Sequence, residues 1–147
     1  LKLLTLLLPY CSKSSEQPQL QSEHTQKIRG VLEYIGLHYT ENISIESLAS
    51  SCYFSEYHFM RFFKKYVGMS CLDYIKSLRL QKAADLLEQQ ELSITDAAMT
   101  AGFSSLSYFY REFKKRYGMT PRQFIHSLPE RQHTNRTSTP GSPFSPL

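Results

Sequence analysis

The chain carries nearly the same segment twice. IESLASSCYFSEYHFMRFFKKYVGMSCLDYI begins at Ile45, and ITDAAMTAGFSSLSYFYREFKKRYGMTPRQFI begins at Ile94. The offset is 49 positions at Ile45 and Ile94 and 50 at Phe59 and Phe109, so one residue is inserted near Leu106. Phe54 pairs with Phe103, Arg61 with Arg111, Phe63 with Phe113, Lys64-Lys65 with Lys114-Lys115, and Gly68-Met69 with Gly118-Met119. A repeat of this length means two copies of one supersecondary unit, each too small to bury its own apolar face without neighbours. Within each copy the order is short helix, tight turn, and a second helix rich in basic residues. That is the order of a helix-turn-helix.

The remaining pattern supplies the helices around the two copies. From about His24, Ile28, Val31, Leu32, Ile35 and Tyr39 recur at helical spacing. Ser44 opens a short helix carrying Ile45, Leu48 and Ala49. Ser55 is an N-cap for the next, whose Phe59, Phe62, Phe63 and Tyr66 form one stripe and which Gly68 ends. Ser70-Cys71-Leu72-Asp73 has the spacing that starts a long helix, with Ile75, Leu78, Ala83, Leu86 and Leu87 as its apolar side. Ser93 opens the second short helix, Gly102 marks its turn, and Phe109, Phe113 and Tyr117 form the stripe of the second basic helix. Thr120-Pro121-Arg122-Gln123 orders a cap, a proline and a glutamine for a last helix reaching about Ser127. With about seven helices and no strand pattern, the expected fold is all-α: two helix-turn-helix subdomains joined by a long linker helix.

The expected boundaries follow. Residues 24–69 form the first helix-turn-helix subdomain, 70–89 the linker helix and 90–128 the second subdomain. Residues 12–23, polar with one proline, read as a linker, and residues 129–147, rich in Pro, Ser and Thr, as a disordered tail. The leucine-rich start, residues 1–11, is far shorter than the ~20 apolar residues that span a bilayer. It also lacks the small residues of a cleavage site. It reads as the end of a helix from an upstream domain, and no membrane partner is expected.

Composition narrows the chemistry. Three cysteines, Cys11, Cys52 and Cys71, have no CxxC spacing, and the five histidines make no metal-ligand pattern, so neither metal nor cofactor is expected. Reduced thiols fit a cytoplasmic protein. There is no glycine-rich phosphate loop, nucleophile motif or carboxylate pair, which argues against an enzyme. Net charge is only +4, yet residues 104–123 carry Arg111, Lys114, Lys115, Arg116 and Arg122 against the single acid Glu112. Such a cluster, present in both copies, suits a polyanion, because each neutralised phosphate releases counterions. A solvated helix face would look similar in one copy but has less reason to recur.

Subtracting the buried stripe leaves Glu56, Tyr57, Met60, Arg61 and Lys64 on the opposite face of the first basic helix. The second offers Leu106, Ser107, Tyr108 and Arg111. A helix face of this kind fits a major groove about 12 Å wide, where base edges present distinct donors and acceptors. Tyr57, Met60, Arg61, Leu106, Ser107, Tyr108 and Arg111 are therefore the candidate base readers. Lys64, Lys65, Lys114, Lys115 and Arg116 lie later, where they suit phosphates. A linker helix of ~30 Å at 1.5 Å per residue compares with roughly 34 Å between successive major-groove segments on one side of a duplex. Double-stranded DNA is the expected partner. The competing reading is a helical protein-interaction module, which would need exposed apolar anchors where this chain has arginines and lysines.

The second copy with its preceding helix carries Arg79-Leu80, Ala83, Leu86-Leu87, Ile94, Ala97-Ala98, Gly102-Phe103, Phe109, Phe113-Lys114 and Gly118-Met119-Thr120-Pro121. This constellation resembles the signature of the AraC/XylS family of bacterial transcription regulators, and the resemblance covers about residues 24–127. It implies a monomeric double helix-turn-helix DNA-binding domain that reads two adjacent major-groove segments near a promoter. It also implies contact with RNA polymerase, usually for activation, and a sensor or dimerisation domain upstream. The family's base-reading positions fall on Tyr57, Met60 and Arg61, then on Leu106, Ser107, Tyr108 and Arg111. The copies themselves differ at two structural positions: Cys71 stands opposite Pro121, and Tyr53 opposite Gly102.

Overall fold

The computed structural model describes residues 18–130; the leucine-rich start and most of the tail lie outside the described residues. Seven helices and no strand are present among them. These are α1 (Pro18–His38), α2 (Ile45–Ser51), α3 (Glu56–Val67), α4 (Cys71–Gln89), α5 (Ile94–Thr100), α6 (Leu106–Tyr117) and α7 (Pro121–Ser127). The all-α expectation holds. The first helix starts earlier than expected, at Pro18 rather than near His24. A proline is tolerated in a first helical turn because its missing N–H would have no intrahelical partner there.

Helix starts follow the predicted caps at Ser44, Ser55, Ser70, Ser93 and Thr120, and Ser105 caps α6 without having been singled out in the sequence. The side chains of Ser44, Ser55, Ser70, Ser93, Ser105 and Thr120 each accept a hydrogen bond from the backbone N–H three residues on. Each such cap contributes about 1 kcal/mol. Thr120 and Gln123 complete a reciprocal capping box. The caps also locate the inserted residue. Ser55 follows Phe54 directly, whereas Ser104 separates Phe103 from the cap Ser105.

Two cores form, one in each unit. The first gathers Ile28, Val31 and Ile35 of α1 with Leu48, Ala49, Phe59, Phe62 and Phe63, closed by Cys71 and Ile75 of α4. The second gathers Leu80, Ala83, Ala84 and Leu87 of α4 with Ala97, Ala98, Phe103, Phe109 and Phe113. The linker helix thus has no single apolar side, contrary to expectation. Cys71, Ile75 and the half-buried Leu78 share one face; Leu80, Ala83, Ala84 and Leu87 share another. At 3.6 residues per turn these faces are nearly opposite. Each half of α4 buries a different side, so it belongs to both units.

The two departures between the copies have distinct structural outcomes. Cys71 and Pro121 both occupy the first position of their helices and both are buried, so the exchange is one small apolar group for another. Burial pushes the Cys71 thiol up to about 12, leaving it an inert thiol. Tyr53 and Gly102 both adopt positive φ, 60° and 104°, at the turn of their units. Their surroundings differ. Tyr53 is 91% exposed. A Cβ on Gly102 would lie 2.9 Å from both the Cα and the carbonyl oxygen of Thr40 and 3.0 Å from Nε of Arg79. Only glycine lets the second turn approach the first unit this closely.

Candidate nucleic-acid interface

The second helix of each helix-turn-helix is amphipathic. In α3, Phe59, Phe62 and Phe63 are buried, which turns Tyr57, Arg61, Lys64 and Lys65 to solvent. In α6, Phe109, Glu112 and Phe113 are buried, which exposes Leu106, Ser107, Tyr108, Arg111, Lys114, Lys115 and Arg116. The same packing that anchors each helix therefore determines which residues it presents.

Each helix presents an arginine laid over a tyrosine. The Arg61 guanidinium lies 5.6 Å from the Tyr57 ring centre, and its Nη1 is 3.5 Å from the Tyr57 hydroxyl. The Arg111 guanidinium lies 5.2 Å from the Tyr108 ring centre. The tyrosine precedes its arginine by four residues in α3 and by three in α6, and both spacings make neighbours on a helix surface. Stacking on an aromatic face holds a guanidinium with its planar fork of donors exposed. In α6 the carboxylate of Glu112 adds a second restraint, 3.7 Å from Nε of Arg111.

The other candidates are placed less uniformly. Met60 is half-buried and packs against the first core, so only part of its side chain faces outward. Leu106 and Tyr108 are each 38% exposed. Tyr108 also touches Phe103 and lies within electrostatic reach of Lys76 and Arg79 on α4, at the rim of the exposed face. Ser107 is open to solvent. Lys64 and Lys65, with Lys114, Lys115 and Arg116, occupy the last turns of their helices, where positive charge also complements the helix dipole. Lys65 lies over Tyr66 and Arg116 over Tyr117, at 5.8 and 5.6 Å from the ring centres. Lys115 is close enough to Asp73 of α4 to favour that carboxylate's charge.

Residues that sequence reasoning did not single out hold α6 against α4. Lys76 donates to Glu112 at 3.2 Å and pairs with Asp73 at 3.3 Å. Burial disfavours the Lys76 charge, but its bonds to Glu112 and Asp73 outweigh this and raise its pKa. Glu112, counted in the sequence as a counter-charge within the basic cluster, is in fact a buried anchor. The one available signal was the repeat itself, where Glu112 stands opposite the buried Phe62.

Residues 48–127, more than half of the chain, match the family described as a helix-turn-helix domain. The chain is 27% identical to a transcriptional regulator with an AraC-type DNA-binding domain from Chromobacterium violaceum, with a TM-score of 0.62 over 69% of this chain and 91% of that one. It belongs to the AraC/XylS family. Among AraC/XylS relatives, the regulatory protein PocR of Salmonella typhimurium is 31% identical over 125 residues, which are 85% of this chain. The chain spans 41% of PocR's length. The DNA-binding domain of AdpA, a global transcriptional factor solved in complex with a target DNA, superposes with a TM-score of 0.63 at 26% identity. That match covers 67% of this chain and 89% of AdpA's domain. As an AraC/XylS member the chain carries that family's helix-turn-helix DNA-binding domain. Among the described residues, no helix is long and apolar enough to cross a membrane, and no cluster of His, Cys, Asp and Glu could hold a metal ion.

Proposed function

We propose that α3 and α6 enter successive major-groove segments of one promoter duplex and that the bound chain activates transcription. The observation that carries this reading is the matched pair of exposed Tyr–Arg stacks, Tyr57–Arg61 and Tyr108–Arg111, on two helices mounted on one linker helix. Arg61 and Arg111 serve guanine edges, for which a planar fork of donors is suited. Tyr57, Ser107 and Tyr108 flank them, with Leu106 and the exposed part of Met60 making apolar contact to thymine methyls. Lys64, Lys65, Lys114, Lys115 and Arg116 hold phosphates and set the orientation. The α4 helix has 19 residues and is about 28 Å long. That is somewhat less than one helical turn of B-DNA, so the duplex bends toward the protein at a cost of about 1–6 kcal/mol.

In this reading the protein works in the cytoplasm as a binding protein rather than an enzyme. It contacts RNA polymerase when bound beside a promoter and takes its signal or its dimer partner from an upstream domain whose last helix ends in residues 1–11. Selection from a random duplex library at near-physiological salt tests the core of the proposal. Enrichment of two short boxes about one helical turn apart supports it. Absence of enrichment, with no salt-sensitive binding of any duplex, overturns it in favour of a protein-interaction module.

A further inference from the structure

The junction between the two units contains one side chain with divergent bonds. Arg79 lies at the changeover of α4, between Leu78, which packs on the first core, and Leu80, which is buried in the second. Its Nε donates to the carbonyl of Tyr39 at 2.5 Å and its Nη2 to the carbonyl of Glu41 at 2.7 Å. Those carbonyls flank Thr40, whose backbone meets Gly102 in the turn of the second unit. A segment of the first unit, a linker-helix side chain and the turn of the second unit thus meet at one point. Arginine suits the post because its rigid fork reaches two carbonyls at once and stays charged when half-buried. The equivalent turn of the first unit ends in Tyr53, exposed to water, so this contact is not a requirement of the helix-turn-helix itself.

We propose that Arg79, with Thr40 and Gly102, is a joint that fixes the angle between the two helix-turn-helix units and thereby sets the spacing of the two DNA boxes the chain accepts. Arg79 is a positioning residue in this scheme and touches no base. The spacing part rests on the two-box reading above; the angle does not. When two units bind one duplex, the second binds at an effective concentration governed by how well the connection matches the span. A stiff joint raises that concentration at one spacing and lowers it at others. A loosened joint does the reverse.

The test compares wild type with Arg79→Ala in two measurements. The first, without DNA, is the alignment of the two units from residual dipolar couplings. One alignment tensor is expected to fit both wild-type units, and separate tensors are expected for Arg79→Ala. The second is affinity for a two-box duplex, for the same duplex with two base pairs inserted between the boxes, and for each box alone. Arg79→Ala is expected to bind single boxes as wild type does and the two-box site about tenfold more weakly. It should also lose most of the wild-type penalty for the insertion. Should Arg79→Ala fail to fold, Arg79→Gln, which keeps part of the stem and a single amide donor, is read in the same way. One shared tensor in the variant, or equal weakening on single boxes, overturns the joint and leaves Arg79 a stabilising contact only. If no two-box site exists, the insertion experiment has no substrate, yet the tensors still decide the joint.

Discussion

Lys76 on the linker helix holds Glu112 on α6 at 3.2 Å, and Glu112 is the one charged residue that is buried among the described residues. Removing one partner leaves the other poorly solvated, which costs more than the pair contributes net. Glu112→Ala is therefore expected to lower stability by about 1–3 kcal/mol, read from the midpoint of urea unfolding at unchanged slope. The double variant Lys76→Met/Glu112→Leu should recover most of that loss. A double variant as unstable as Glu112→Ala would mean that the site needs the charges themselves.

The turns of the two copies should respond oppositely to exchange. Gly102→Ala places a Cβ against the backbone of Thr40 at positive φ, and is expected to lower stability by about 1–3 kcal/mol. Tyr53→Gly relieves a left-handed side-chain residue that packs on nothing, and should raise stability by about 0.5–1 kcal/mol. Thermal unfolding of the two variants beside wild type checks both signs.

Much of this architecture is legible in the sequence, and what is not has a common cause. The caps at Ser44, Ser55, Ser70, Ser93 and Thr120 are local, so spacing alone finds them, and the aromatic stripes at Phe59–Phe63 and Phe109–Phe113 follow from helical periodicity. The opposite faces of α4 are hidden because Ile75, Leu78, Ala83 and Leu87 can be joined into one loose stripe until both partners are known. Arg79 bonds carbonyls near residue 40, and Lys76 bonds Glu112. Contacts between residues so far apart in the chain leave no periodic trace. Subtracting the core gives the exposed face of each basic helix, but it puts Met60 on that face although Met60 is half-buried against the first core.

Arg111 and Lys114 should separate under salt. Arg111→Ala, removing the stacked guanidinium, is expected to cost about 1–3 kcal/mol on the preferred duplex and to relax preference at one base position. Lys114→Ala should weaken all duplexes evenly and reduce the slope of log affinity against log salt by about 1. Titrations of both variants at several salt concentrations check this. An even loss across sequences for Arg111→Ala would make it a phosphate contact.

Acid should act on the start of α4. The Asp73 carboxyl titrates below its ordinary value of 3.8 because it bonds Ser70 and then Lys76. That stabilisation is present above pH 3.8 and is lost as pH falls through the lower folded value. Lys76, raised above its ordinary value, stays charged through this range and contributes nothing to the acid limb. Asp73→Asn should flatten the fall in melting temperature as pH drops below about 4. An unchanged fall would remove Asp73 from the groups that govern acid stability.

Hydroxyl-radical footprinting of the chain on its selected duplex tests most directly whether both helices read one DNA. Two protected patches on one face, about 10–10.5 base pairs apart, are expected, with Arg61→Ala erasing one and Arg111→Ala the other. A single patch, lost in only one of the two variants, would contradict the double reading and reduce the site to one recognition helix.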